Sequence, residues 1–191
     1  MGSKRVKLCC RATSLGLLAL LITSPRMLGQ SLNSNSPTVV LTATLPETLT
    51  VAASPTTATF TLVPGGTSNA NTIAITTSTV LMGSRTSLIL VGYFASAAAA
   101  LSTAAPVSSI PSSDVFGQVS TGTPTSYTAF TQSDALGTAG AGLLLFSQTI
   151  TTANDVQTRT DNLSLEINLA SNPQQPAGTY TGILTLQAQA M

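Results

Sequence analysis

Apolar and polar side chains alternate along most of this chain. Leu163, Leu165, Ile167 and Leu169 alternate with Ser164, Glu166 and Asn168. A period of two puts one strand face in a core and the other in water. After a Pro- and Gln-rich connection over Asn172–Gly178, the residues Tyr180, Leu184, Leu186, Ala188 and Ala190 fall on one face of a last strand, against Thr181, Thr185, Gln187 and Gln189. Two such strands cannot bury their apolar faces alone, so the upstream chain must supply an opposing layer.

Upstream, Val39, Leu41, Ala43 and Leu45 predict a strand ended by Pro46; Leu49, Val51 and Ala53 predict a second, closed by Pro55; Ala58, Phe60 and Leu62 predict a third. Pro64-Gly65-Gly66 is a turn signal. Ile73 and Ile75 head a fourth strand, running to about Val80. Ser87–Phe94 and Leu143–Ile150 are apolar on both faces, as in strands covered on two sides. Between them the rhythm breaks. Ala95–Ala105 is nearly all Ala and Ser, which predicts a short helix or an irregular excursion. Ile110–Gly117 holds a single helical turn capped by Ser112 or Ser113, with Val115 and Phe116 inward. Gly117–Gly142 is rich in Gly, Thr and Ser, with Tyr127 and Phe130 as anchors, and Thr151–Thr160 reads as a polar turn. The fold class predicted is all-β: an antiparallel, Ig-like β-sandwich of about seven to nine strands with a long irregular, partly helical insertion at about residues 95–142.

The N-terminal end differs in composition. Lys4, Arg5, Lys7 and Arg11 form a basic region, Ala12–Ile22 an apolar run of 11 residues, and Met27-Leu28-Gly29 a small-residue site before Gln30. This is the pattern of a secretory signal peptide, and the run is shorter than the roughly 20 residues of a membrane span. The expected organisation is a signal peptide over residues 1–30, a loose segment over 31–36 and one domain over 37–191. Removing the leader takes away Cys9, Cys10 and five of the seven basic residues. Arg85 and Arg159 then face six acids (Glu47, Asp114, Asp134, Asp155, Asp161 and Glu166), a net charge of −4. Two cations give no electrostatic footprint for nucleic acid, and no membrane association is expected once the leader is gone.

The ending Pro176-Ala177-Gly178-Thr179-Tyr180-Thr181-Gly182-Ile183-Leu184-Thr185-Leu186 resembles the closing strand of secreted bacterial Ig-like domains. It is similar to spore coat protein U-type domains, relatives of the chaperone–usher pilins, and to other exported bacterial proteins of that kind. That resemblance implies export and a structural or adhesive role. Ala190 stands where pilins usually carry Tyr, and the leaderless chain has no Cys for the disulfide many of them hold.

The inventory of reactive groups is short. The chain has no His, which removes Ser-His-Asp and Cys-His machinery. Beyond residue 30 it has no Lys and no Cys, which removes Ser-Lys dyads and Schiff bases and zinc sites of Cys/His type. Gly65-Gly66 lacks the flanks of a phosphate loop. No catalytic, cofactor-binding or metal residue is therefore assigned, and no cofactor is expected. The enzymatic alternative is a carboxylate pair for glycoside hydrolysis, drawn from Asp114, Asp134, Asp155, Asp161 and Glu166. Asp155, Asp161 and Glu166 also cluster in sequence as oxygen donors for calcium, against the simpler reading of turn formation by Asn154-Asp155 and Asp161-Asn162. Arg159 beside Asp155 and Asp161 predicts an exposed ion pair of little weight. Asn162-Leu163-Ser164 is a formal glycosylation sequon. Tyr180 is expected in the core, its hydroxyl reaching a backbone group as in a tyrosine corner.

Strand edges are normally blunted by Lys, Pro or inward charge. Val39–Leu45 and Tyr180–Met191 carry no charge, so these edges must be paired, covered or used for assembly. Two outcomes follow. Val39–Leu45 either pairs within its own domain, giving a monomeric surface module, or completes a neighbour's sheet. The function expected is that of a non-enzymatic, exported structural or adhesive protein of unknown ligand, whose one candidate partner is itself through edge pairing. The alternatives are a subunit of a strand-complemented, pilus-like or coat polymer, and the carboxylate hydrolase.

Overall fold

The computed structural model describes residues 34–133 and 140–191. The signal peptide expected over residues 1–30 and the candidate Asp134 lie outside the described residues. The chain divides into two units, Met1–Ala43 and Thr44–Met191.

In the first unit, residues 34–43 carry no strand. Val39, Val40 and Leu41 are 80%, 88% and 90% exposed. The strand expected from Val39 to Leu45 is not formed: alternation prepares a face, but a strand also needs a ladder partner.

The second unit is built of antiparallel strands. One sheet has the order β1 (Thr48–Ser54), β3 (Ile73–Val80), β11 (Val156–Asn168), β7 (Val115–Val119), β8 (Thr128–Ala129), with β2 (Thr67–Asn69) also on β11. A second has the order β12 (Thr185–Ala190), β4 (Ser87–Phe94), β10 (Ala141–Thr149), β9 (Gln132–Ser133). A hairpin of β5 (Leu101–Ala104) and β6 (Val107–Ile110) forms a small third sheet.

Strand β11 is the seam of the first sheet. Its first half pairs with β3, from Val156↔Val80 to Leu163↔Ile73, and its second half pairs with β7 and β2. Leu163, Leu165 and Ile167 are buried on one face while Ser164 and Glu166 stand on the other. The polar stretch expected as a turn up to Thr160 thus enters the strand at Val156. It does so because β3 needs a partner along its whole length. Strand β4 is central, between β12 and β10, as its two apolar faces imply. A register shift in β10 between Leu144 and Phe146 buries both Leu145 and Phe146, which accounts for its unbroken apolar run.

Residues of both larger sheets join one apolar cluster, among them Ile75, Leu165 and Ile167 from the first and Leu90, Phe94 and Leu143 from the second. Phe130 is fully buried and meets Phe94 edge to face, with centroids 5.1 Å apart and planes at 75°. Tyr127, expected as a second anchor, is 38% exposed. Gly117 makes the room: a Cβ there would lie 3.2 Å from the Phe130 ring and 3.0 Å from Leu143.

The partly helical insertion expected over Ala95–Gly142 is corrected. Among its described residues the only helical element is a 3-10 turn, Ser112–Asp114, preceded by Pro111 and without a side-chain cap. Val115 is buried, as expected, and Phe116 half-buried. The Ala-rich run bends into β5. Its backbone groups bond to the chain ahead, Ala100 N–H to the Ile110 carbonyl and Ser112 N–H to the Ala97 carbonyl. With no large apolar side chains to anchor a helix face, local propensity yields to these longer-range bonds.

Candidate binding site: an apolar cleft between two extended segments

Two stretches without full strand pairing wall a cleft of about 870 Å³. The first runs from Pro55 to Pro64, with Ala58, Phe60 and Leu62 half-buried and Thr57, Thr59 and Thr61 exposed. The alternation predicted a strand here, and exposed and half-buried positions do alternate, yet the stretch joins no ladder among the described residues. Asn71 and Ser68 hold one of its sides. The Thr59 N–H donates to Asn71 Oδ1 at 3.3 Å, Asn71 Nδ2 donates to the Thr57 carbonyl at 3.3 Å, and the Val63 N–H donates to Ser68 Oγ at 3.1 Å. Successive residues of an extended chain present their backbone groups to opposite sides. Those of Ala58, Phe60 and Leu62 therefore face away from Asn71, and among the described residues they have no hydrogen-bond partner.

The second wall runs from Gln175 to Leu186. Here the chain is pinned by Tyr180, whose hydroxyl donates to the Pro176 carbonyl at 2.9 Å and lies 3.2 Å from Gln175 Oε1. Half-buried and bonded to backbone, Tyr180 takes the corner role its spacing implied. Ser108 Oγ donates to Gln175 Oε1 at 2.7 Å and ties the corner to β6. Thr181 and Ser102 exchange backbone bonds of 2.8 and 2.9 Å, so Tyr180 and Gly182 turn their own backbone groups away from β5. Those groups also lack a backbone partner among the described residues. At Gly182 the chain runs so close to the Ala100 carbonyl that no Cβ would fit.

The floor is the core itself: Ile73, Phe94, Val115, Leu165 and Ile167 line the cleft from below. Among the described residues lining it, Tyr180 is the one titratable side chain. The chemistry on offer is apolar contact and backbone hydrogen bonding.

The cleft sits at one end of the unit, where β1 and β4 finish and β3 and β12 begin. Glu47 sits at the other, beside the β3–β4 turn. Its carboxylate receives Arg85 Nε at 3.1 Å, Arg85 Nη2 at 2.8 Å and the Met82 N–H at 2.8 Å. The Arg85 guanidinium first, then the Met82 N–H, hold its pKa down from 4.5 to about 2. The chain is thus clamped just before β1 starts.

The sequence-derived carboxylates do not form one site. Asp161 is fully buried on the inward face of β11, bound by Arg159 Nε and Nη2 at 2.6 Å each and by Thr121 Oγ1 at 2.8 Å. The ion pair expected to be exposed is therefore an inward one. Glu166 lies on the opposite face of the same strand, and Asp155 precedes it, its carbonyl accepting from Leu81 N–H at 3.0 Å. Asp114 is buried and accepts from Asn172 Nδ2 and, at 3.5 Å, from Ser171 Oγ. Among the described residues no group of three His, Cys, Asp or Glu side chains is placed to hold a metal. Asn162 of the sequon stands mid-strand, opposite Ala74. Sequence reasoning missed the cleft. Its trace was there, in Ala58, Phe60 and Leu62 set between Pro55 and Pro64. No protein-family model matches the chain, and neither the curated proteins nor the solved structures offer a match.

Proposed function

We propose that this chain is a non-catalytic, exported structural or adhesive protein, that its two larger sheets face each other as an Ig-like sandwich, and that its working part is the cleft, which takes up an extended apolar peptide strand. One observation carries the reading: two extended segments, each with backbone donors and acceptors unused, wall an apolar cleft that opens onto the core. Strand addition uses those features together, main-chain bonds for affinity and alternate side-chain pockets for selectivity. The basic and apolar pattern of residues 1–30 supports export. The contribution of both sheets to one cluster supports the sandwich.

Titration of the purified protein with alternating apolar peptides, followed by calorimetry and by amide exchange at Ala58, Phe60 and Gly182, tests the binding role. Saturable binding with slowed exchange at those amides is the expected result, and no binding by any such peptide refutes it. N-terminal sequencing of protein recovered from an exporting host tests the leader, with the new terminus expected near Gln30. The hydrolase alternative predicts polysaccharide cleavage that is lost on changing Asp155, Asp161 or Glu166 to Ala.

A further inference from the structure

We propose that Asn71 is a positioning residue of the cleft: its carboxamide stands in for a strand neighbour and holds the first wall in the form a peptide binds. The inference rests on the strand-binding reading of the cleft and adds a residue that sets affinity without touching the ligand. Asn71 Nδ2 donates to the Thr57 carbonyl and Asn71 Oδ1 accepts from the Thr59 N–H, each at 3.3 Å. In a parallel ladder, a residue donates its N–H to the carbonyl just before the residue it faces and accepts from the N–H just after it. One carboxamide makes both of those bonds around Ala58. The outer side of the wall is thereby paired as if a strand lay beside it, and a ligand is left the side that faces the cleft.

The rest of the wall is held only at its two ends. At its start, Ser54 pairs with Ala74 in the last register position of β1. At its finish, the Val63 N–H donates to Ser68 Oγ at 3.1 Å and the Val63 carbonyl accepts from the Gly66 N–H at 3.0 Å. Between Ser54 and Val63 lie eight residues. Their hydrogen bonds, among the described residues, are the two to Asn71. Ala58, Phe60 and Leu62 also pack on the core cluster, but apolar contact is non-directional and does not fix which way the backbone groups face. Asn71 itself stands on a rigid base. It lies in the link between β2 and β3, where Ala70 N–H donates to the Leu165 carbonyl at 3.1 Å. Both flanking strands are paired with β11, through Ser68↔Ile167 and Ile73↔Leu163. Asn71 is exposed, so removing its carboxamide opens no cavity. A ligand that meets a wall already set in place does not have to order it, and binds more tightly for that reason.

Amide exchange, urea denaturation and peptide titration of the full chain test this. Thr59 and Thr61 are both exposed and present their N–H groups to the same side of the wall, but only Thr59 has a partner there among the described residues. In the free wild type the Thr59 amide is expected to exchange more slowly than that of Thr61, after correction for sequence. Asn71→Ala should erase that difference and leave the urea midpoint unchanged. It should weaken the tightest of a set of alternating Val/Thr, Leu/Thr and Val/Ser peptides about fivefold, the net worth of two exposed hydrogen bonds. Asn69→Ala makes the same change two residues earlier, at an exposed side chain with no bond to the wall among the described residues, and should alter neither exchange nor affinity. Equal peptide affinity in Asn71→Ala and wild type overturns the proposal and leaves the cleft reading standing. A urea midpoint that falls together with affinity also overturns it, since Asn71 would then act on stability alone. Thr59 exchanging as fast as Thr61 in the free wild type overturns it without any ligand. If wild type takes none of the peptides, the cleft reading falls and this inference with it.

Discussion

Arg159 grips Asp161 from two positions earlier on the same face of β11, with Nε and Nη2 each 2.6 Å from a carboxylate oxygen. The guanidinium also lies over the Phe146 ring, 3.8 Å from its centroid, and donates to the Thr121 carbonyl at 2.5 Å. One side chain thereby joins β11 to β10 and to the loop after β7. Its forked, planar donors make this arrangement one that Lys cannot copy.

Removing the cation strands a buried anion. Arg159→Leu is expected to cost about 3–5 kcal/mol, and the double variant Arg159→Leu/Asp161→Leu to recover most of that loss. Urea denaturation of the two variants side by side measures it; equal losses in both would show that the charge pairing is not what matters.

Phe130 fills the space that Gly92 and Gly117 leave open. Phe130→Ala should destabilise by about 3–5 kcal/mol through cavity formation. Gly117→Ala should cost about 1–3 kcal/mol by crowding the same ring. If the alanine at 117 is tolerated freely, the ring is less tightly held than its contacts indicate.

Thr77 is buried at 1% exposure, and its hydroxyl has no hydrogen-bond partner among the described residues. An unmet polar group in the core is a net cost. Thr77→Val is therefore expected to raise stability by about 1 kcal/mol, read as an upward shift of the urea midpoint.

Glu47 has a pKa lowered from 4.5 to about 2 by Arg85 and the Met82 N–H. A carboxylate whose folded pKa is depressed adds stability that is complete above its unfolded value and fades as pH falls through the folded one. The Glu47 contribution should be whole above pH 4.5 and fade towards about 2. Glu47→Gln should flatten that part of the stability–pH curve, and carbon-detected titration should place the Glu47 midpoint near the lower value.

Tyr180→Phe removes the bond to the Pro176 carbonyl and should cost about 1 kcal/mol. Peptide affinity should fall with it, because the corner positions the second wall. A stability loss with unchanged affinity would separate the corner from the site.

Much of the framework was legible beforehand. Leu163, Leu165 and Ile167 carry their face in a two-residue rhythm, and Ser87–Phe94 carries a central strand in its two apolar faces. Both readings use only side chains next to one another along the chain. The Tyr180 corner was readable for the same reason, since its hydroxyl closes on a carbonyl four residues back. Asp161 was misread because its setting is not local: Thr121 comes from 40 residues away. Of the two readings of the Ala-rich run, a short helix or an irregular excursion, residues 95–100 follow the second, because their backbone bonds to Ile110 and Ser112 are not local.

By itself, the amino-acid order determined the β character, the inward and outward faces, and the lack of His in the chain and of Lys and Cys beyond residue 30. Tertiary structure alone decided which of those alternating segments found ladder partners. Ala58–Leu62 and Val39–Leu45 carry the same rhythm as the paired strands, and only the first of them packs against the core. The physical reason is that alternation specifies a face, while pairing depends on which backbone the fold brings alongside. A cleft is what remains where the fold brings none.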